Sequence, residues 1–215
     1  MVDPKVIATL TCWHDIVGPA YGSLHRVLTS GPNGPEGSGK KTAFQVTHNT
    51  TQSFYDWLES RPKQRASFNG YMAAVHADTM KWLDVVNVNE EIAHNAHEND
   101  VVFVDVGGGD GSQSIEVQKV HILGGKIIMQ DRVAVVEAAT KAHEAGVETK
   151  TYDFFTEQPV KGARAYFIQF VLLNWADDDC VRIFATQAST MGRDSVLMIV
   201  DYVQGHRWET RSELP

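Results

Sequence analysis

The segment VVFVDVGGGDG, from Val101 to Gly111, restricts the fold more than any other part of the chain. Six residues of strand character, interrupted only by Asp105, run into a turn built of glycine. Residues 112–120 then read as a helix. A buried strand that turns sharply on glycine into a helix is a unit of parallel α/β architecture. Glycines at such a turn let the backbone approach a ligand closely, and the helix start offers free N–H groups.

The residues that follow repeat the alternation. A strand over 126–130 ends in Asp131. A helix over 132–143 carries Val133, Val136, Ala139 and Ala142 in register. A strand over 148–152 ends in Asp153. Further strands are expected over 163–171 and 195–203, with a helix over 177–191 between them. This pattern predicts an α/β fold with a parallel, Rossmann-like sheet covered on both faces. The first hundred residues differ. A short helix is expected over 16–28, a glycine- and proline-rich loop over 29–41, and a helix over 51–58 that buries Phe54, Trp57 and Leu58. A long helix is expected over 66–86. There Phe68, Met72, Val75, Thr79, Trp82 and Val86 recur at three- and four-residue steps. The compositional break divides the chain into a helical region, 1–98, and a sheet domain, 99–215.

The glycine spacing discriminates between ligands. A dinucleotide fingerprint needs a sixth-position glycine, where this chain has Ser112, and there is no G-x-x-x-x-G-K-[ST] phosphate loop. Gly107, Gly109 and Gly111 give G-x-G-x-G. After an acid-bearing strand, that spacing resembles the first motif of class I S-adenosylmethionine (SAM) methyltransferases. SAM has no phosphate, so it calls for carboxylates. Asp131 closes the second strand, where an acid can take ribose hydroxyls. Asp153, beside Phe154, closes the third, where a carboxylate and a ring can hold adenine. One Asp at a strand-to-helix junction is commonly a helix cap. Three stations in strand order lie on the rim where open α/β sheets bind ligands. Composition narrows the rest. The formal charge of −8 disfavours a nucleic-acid backbone as partner. No apolar run approaches the ~18 residues of a membrane span, and the first residues hold no signal-peptide core. Cys12 and Cys180 form neither a metal nor a disulfide pattern, which points to the reducing cytoplasm and to no bound metal.

Ordered blocks carry a fuller resemblance. VDVGGGDG, IIMQD, TYDFFTEQPVKGARAYFIQFVLLNWADDDC and LMIVDYV, preceded by TAFQVTHNTTQSFYDWLESRP and FNGYM, resemble the plant caffeate-type O-methyltransferase family and its fungal secondary-metabolite branch. The resemblance spans residues 14–204. It implies a SAM site at Gly107, Gly109, Gly111, Asp131, Asp153 and Phe154, with Arg132 at the adenosine edge. Gln169 stands where the family usually has Lys or Arg. It also implies that the helical half caps the substrate and contributes part of a dimerisation region. The family reads His-Asp-Trp at its catalytic motif, and this chain reads Leu173-Asn174-Trp175. Leu173 cannot accept a proton, and a phenol with a pKa of about 10 is mostly protonated at neutral pH. Loss of the base is expected to cost on the order of 10²- to 10⁴-fold in rate. The family's first supporting acid corresponds to Asp201. The family's last sheet strands have no counterpart here, which would leave an apolar edge strand unpaired. A homo-oligomer or a complementing chain is therefore the expected partner, besides a small-molecule substrate.

Three functions compete. The first is SAM-dependent O-methylation of a small aromatic or polyketide-type metabolite, with another residue as base. His14, His25, His48 and His76 are candidates, and His14 leads because Asp15 can fix its tautomer. The second is a SAM-binding relative that does not methylate but steers a dehydration or pericyclic step. There Leu173 supplies an apolar wall and Asn174 an amide donor. The third is a catalytically inactive subunit that completes a partner.

Overall fold

The computed structural model describes residues 2–29, 41–75 and 81–202. Residues 30–40 of the expected loop lie outside this set, as do His76, Thr79 and Val203. The chain forms two compact units that part between Met80 and Lys81.

The first unit is helical. Helix α1 (Pro4–Cys12) starts where Asp3 accepts the Lys5 N–H at 2.8 Å, with proline at its first turn. It runs through a wide π-type turn, Trp13–Val17, into α2 (Gly18–Thr29), so the helix expected over 16–28 begins much earlier. The wide turn has a local cause. Pro19 lacks an N–H, and its ring would strike a carbonyl one turn back. The Gly18 N–H bonds to Trp13 O instead, and a Cβ on Gly18 would lie 2.9 Å from that oxygen. Helix α3 (Ala43–Thr47) opens on a reciprocal capping box between Thr42 and Gln45. Helix α4 (Phe54–Glu59) is capped by Ser53, and α5 (Pro62–Val75) follows. Trp57 and Leu58 are buried with Cys12 and Ile16, and Phe44, Phe54 and Phe68 pack around them. Gly70 lets α5 cross α1 closely, since a Cβ there would lie 2.5 Å from Ala8 Cβ.

The second unit carries the sheet. Strands β1 (Val101–Val106), β2 (Lys126–Asp131), β3 (Glu148–Thr151), β4 (Ala165–Gln169) and β5 (Val196–Val200) are all parallel, in the order β3-β2-β1-β4-β5. Alternation sends Phe103, Met129 and Phe167 to one core and Val104, Ile128, Tyr166 and Ile168 to the other. Helices α6 (Ser112–Val120), α7 (Val133–Val136), α8 (Thr140–Glu144) and α9 (Asp177–Ala188) connect the strands. The expected α/β parallel sheet is present. The single helix expected over 132–143 is instead α7 and α8. The valines at 133, 135 and 136 are helical themselves; the break falls at Ala139, whose φ of −81° and ψ of 49° leave the helical region where it and Ala142 enter the core. At the far edge, Val196 and Ile199 of β5 are exposed.

The helix expected over 66–86 is the main correction. The described part ends at Val75, which is exposed. Trp82 begins a short 3-10 turn in the other unit. Its ring stacks on Phe103 at 5.7 Å, 2° from parallel, and its Nε1 donates to Gln113 Oε1 at 2.9 Å. Burial of a large aromatic with its N–H satisfied outweighs helical periodicity. Val88, Ile92 and Ala93 join the same core, so the sheet unit begins well before the compositional break near residue 100. Among the described residues, no helix is long and apolar enough to cross a membrane.

One carboxylate sits inside the sheet. Asp105 is 2 % exposed and accepts the Ser114 hydroxyl at 2.8 Å. Burial pushes its pKa up to about 7, against the lowering effect of that hydrogen bond.

Two outcomes follow for stability. Trp82→Ala should lower the unfolding free energy by about 3–5 kcal/mol in denaturant titration, as expected for a fully packed indole. Asp105 keeps in the folded state a proton that the unfolded chain, with a pKa near 3.9, releases. Its contribution is therefore favourable at low pH and is lost as pH rises through 7. Asp105→Asn should gain on the wild type between pH 5 and 7, at a slope approaching ~1.4 kcal/mol per pH unit, and level off above that window. A difference that is flat with pH would contradict a buried, late-titrating carboxyl.

Candidate cofactor rim and catalytic turn

The glycine turn lies at the C-terminal end of β1. Gly107, Gly109 and Gly111 have φ of 75°, 61° and 78°, a region that side chains rarely enter. The Gly107 and Gly108 N–H groups both donate to Gln130 O, at 2.8 and 3.1 Å. A Cβ on Gly108 would lie 2.8 Å from the Asp105 carboxyl carbon, so the turn rests directly on that buried acid. A Cβ on Gly109 would meet nothing within 4 Å, so the turn opens onto free space.

Asp131 ends β2 and reaches back to this turn. Its Oδ2 accepts the Gly109 N–H at 2.9 Å and its Oδ1 accepts the Arg132 N–H at 2.7 Å. Burial pushes its pKa upward, opposed by these two N–H groups. Each carboxylate oxygen retains lone-pair capacity for a hydroxyl donor. Arg132 caps α7. Asp153 follows β3, is exposed, and accepts the Phe155 N–H at 3.0 Å. The Phe154 ring meets Trp175 edge-on at 5.6 Å. A Cβ on Gly107 would come within 3.9 Å of Phe154 Cε1. The glycine turn, Asp131 and the Asp153-Phe154 pair thus converge on one rim. Gln169 ends β4 and is half-buried there. A cavity of about 350 Å³ lies elsewhere: Asp100, Arg164, Arg193 and Ser195 line it near the opposite strand ends.

The segment after β4 is strained. Phe170 has φ of 53°, uncommon for an aromatic residue, and stacks on Tyr202 at 5.0 Å. Leu173 is 53 % exposed, and its N–H donates to Asp201 Oδ2 at 3.2 Å. Asn174 Nδ2 donates to the carbonyls of Phe170 and Val171 at 3.2 and 3.4 Å. Both amide hydrogens therefore brace the turn, and the expectation that they face a substrate is not what this geometry gives. Asp201 likewise holds a backbone N–H.

The candidate bases His14, His25 and His48 belong to the first unit. His14 Nδ1 lies 2.7 Å from Asp15 Oδ1. A carboxylate only accepts, so Nδ1 carries the proton and Nε2 the lone pair. His14 is exposed, with a side chain 88 % accessible. His25 is also exposed. His48 packs against Phe44 and Trp57 at 4.6 and 4.9 Å, a packing role. Residues missed from the sequence are Gln130 and Phe170. A glutamine closing an apolar strand was a signal for the first; nothing in the sequence marks the second.

The O-methyltransferase domain family matches residues 38–213. The chain is similar to O-methyltransferase okaF of Penicillium ochrochloron, 29 % identical over 94 % of this chain and 54 % of that protein. It is also similar to O-methyltransferase apf6 of Gibberella fujikuroi, 33 % identical over 89 % of this chain and 54 % of that protein. Demethylsterigmatocystin 6-O-methyltransferase of Aspergillus flavus is 30 % identical over 88 % and 48 %. The chain spans about half the length of the curated relatives it matches. Among solved structures, LepI in complex with SAM has a TM-score of 0.79 at 28 % identity, covering 95 % of this chain and 54 % of LepI. A structure described as a pericyclic reaction enzyme has the same TM-score, identity and coverage. The mitomycin 7-O-methyltransferase MmcR has a TM-score of 0.71 at 27 % identity, covering 96 % of this chain and 57 % of MmcR. Matched over most of its length, the chain belongs to the O-methyltransferase domain family.

Proposed function

We propose that the rim binds SAM and that the protein transfers its methyl group to a hydroxyl of a small aromatic or polyketide-type metabolite. The observation that carries the reading is the convergence of the glycine turn, Asp131 and Phe154, with Asp131 bonded to Gly109 N at 2.9 Å. The donor set suits a nucleoside without phosphate. Asp131 takes the ribose hydroxyls, Asp153 and Phe154 take the adenine, and the glycine turn lies along the amino-acid end, with Arg132 and Gln169 at its margins. SAM, when bound, supplies an electrophilic methyl group on a sulfonium. The names of relatives such as demethylsterigmatocystin 6-O-methyltransferase support the substrate class.

For the base we infer His14, since Asp15 fixes its tautomer with the Nε2 lone pair outward. Leu173 serves as an apolar wall, held outward by Asp201 and Asn174. The exposed side chains Val6 and Leu10 of α1, Trp13 of the wide turn, and Tyr21, Leu24 and Leu28 of α2 recur at three- and four-residue steps within each stretch, and they support a second copy or a complementing chain as partner.

A second reading has its own observation. Leu173 is exposed and offers no proton acceptor, whereas Asn174, braced on the Phe170 and Val171 carbonyls, does not supply the amide donor expected of it. That arrangement suits a SAM-binding enzyme that performs a dehydration or pericyclic step, and the likeness to a pericyclic reaction enzyme supports it.

Incubation with methyl-labelled SAM and a panel of phenols separates the two. Methyl transfer predicts labelled ether together with S-adenosylhomocysteine, and a rate lowered on the order of 10²- to 10⁴-fold in His14→Gln. If wild-type protein forms no S-adenosylhomocysteine while the Leu173→His, Asn174→Asp double variant does, the wild type is the non-methylating kind.

A further inference from the structure

Beneath the rim runs a chain of buried amides. Gln130, Gln158 and Gln187 are each fully buried, in the core that β2 shares with α9. Gln130 and Gln158 face each other reciprocally, Nε2 to Oε1, at 2.8 and 2.9 Å. The second Gln158 hydrogen goes to Gln187 Oε1 at 2.8 Å, and its oxygen also accepts the Val160 N–H at 3.1 Å. Gln158 thus uses both donors and both acceptor sites, the full capacity of an amide. Gln187 Nε2 donates to the Tyr152 hydroxyl at 3.2 Å and to Thr186 Oγ1 at 3.1 Å. Tyr152 OH in turn donates to Thr156 O at 3.1 Å, and Thr186 Oγ1 lies 2.8 Å from Phe154 O.

The two ends of this chain are rim stations. Gln130 precedes Asp131, and its carbonyl holds the N–H groups of Gly107 and Gly108. Tyr152 and Thr156 bracket Asp153 and Phe154. The Tyr152 N–H also donates to Asp131 O at 2.9 Å, tying the stations from above as well. We propose that Gln158 and Gln187 are positioning residues for nucleoside binding: they set the distance between Asp131 and the Asp153-Phe154 turn. The inference rests on the SAM reading above and deepens it.

Energetics favour position over stability as the reason for these amides. Replacing a buried, mutually satisfied polar group with apolar side chains of similar shape is often neutral. Three adjacent glutamines in a core otherwise built from Val, Ile and Tyr therefore add little stability that Leu or Met could not supply. They do add direction, because each bond fixes the next amide. Asp153 itself is exposed and lies outside the regular strand; its own bonds are local, with its Oδ1 accepting the Phe155 N–H and its carbonyl accepting from Thr156, so they shape the turn without setting its distance from Asp131.

The test uses Gln187→Met, which keeps the volume, and Tyr152→Phe, which removes only the terminal hydroxyl. Affinity for S-adenosylhomocysteine is read by calorimetry on the whole chain, and amide hydrogen exchange is read on the free protein. Gln187→Met should weaken binding by about 10-fold or more, the loss expected when buried donors lose their partners. Exchange at the Phe155 and Thr156 amides should quicken, while exchange at Val104 and Ile128 stays at the wild-type rate. Tyr152→Phe should shift both readouts the same way by less, and the double variant should bind no worse than Gln187→Met alone, because both lie on one path. Unchanged affinity and unchanged exchange at Phe155 and Thr156 in Gln187→Met would overturn the inference. So would quickened exchange across β1 and β2 alike, which marks general loosening. Wild-type protein that takes up no S-adenosylhomocysteine overturns the cofactor reading and this inference with it, whereas wild-type binding retained unaltered in Gln187→Met overturns this inference alone.

Discussion

The hydrogen bond from Gly109 N–H to the Asp131 carboxylate joins the ends of the two central strands. On its own it is one contact among many. Its importance comes from what it fixes. The glycine turn has three positive-φ residues and could take several shapes; Asp131 selects one. Below, the turn rests on Asp105, a carboxyl kept in the core at the expense of its own ionisation. Beside it, the Gln130 carbonyl takes two further N–H groups. The turn is thus held from below and from one side, and it faces open space above Gly109. That is the form a close-approach ligand site takes: a rigid floor with an unfilled ceiling.

The turn after β4 differs in its chemistry from the rim. Where the family places a proton acceptor, this chain has an exposed Leu173. The polar groups around it are spent on shape: Asp201 holds the Leu173 N–H, and Asn174 holds two carbonyls. These bonds offset the unfavourable conformation of Phe170 just upstream. A turn organised in this way presents apolar surface. In the methyl-transfer reading proposed above the base therefore lies on another element, and in the second reading no proton is abstracted.

The sheet and its rim were legible in the sequence because they rest on local signals. An apolar run, a glycine turn and an acid at each strand end fix β1, β2 and β3 and put Asp131 and Asp153 on the same side. The helical half was harder for physical reasons. Trp82 keeps helical spacing with Phe68, Met72 and Val75, yet belongs to the sheet core, where Phe103 and Gln113 satisfy its ring and its N–H. Periodicity registers spacing alone and is blind to a partner far along the chain. The wide turn at Trp13–Val17 comes from Pro19, which local rules do carry, whereas the break between α7 and α8 falls at Ala139, a good helix former drawn into the core. Beyond Gln130 at the end of an apolar strand, the amide chain had no sequence signature: Gln130, Gln158 and Gln187 are far apart in sequence and meet only when β2 and α9 pack.

The central claim is that the rim holds a sulfonium nucleoside through Asp131 and the Asp153-Phe154 pair. A crystal structure of the protein grown with S-adenosylhomocysteine tests it most directly. The ribose hydroxyls should then lie within hydrogen-bond distance of the Asp131 carboxylate, with adenine beside Phe154 and the glycine turn unmoved. The nucleoside bound elsewhere, or its ribose turned away from Asp131, would contradict it.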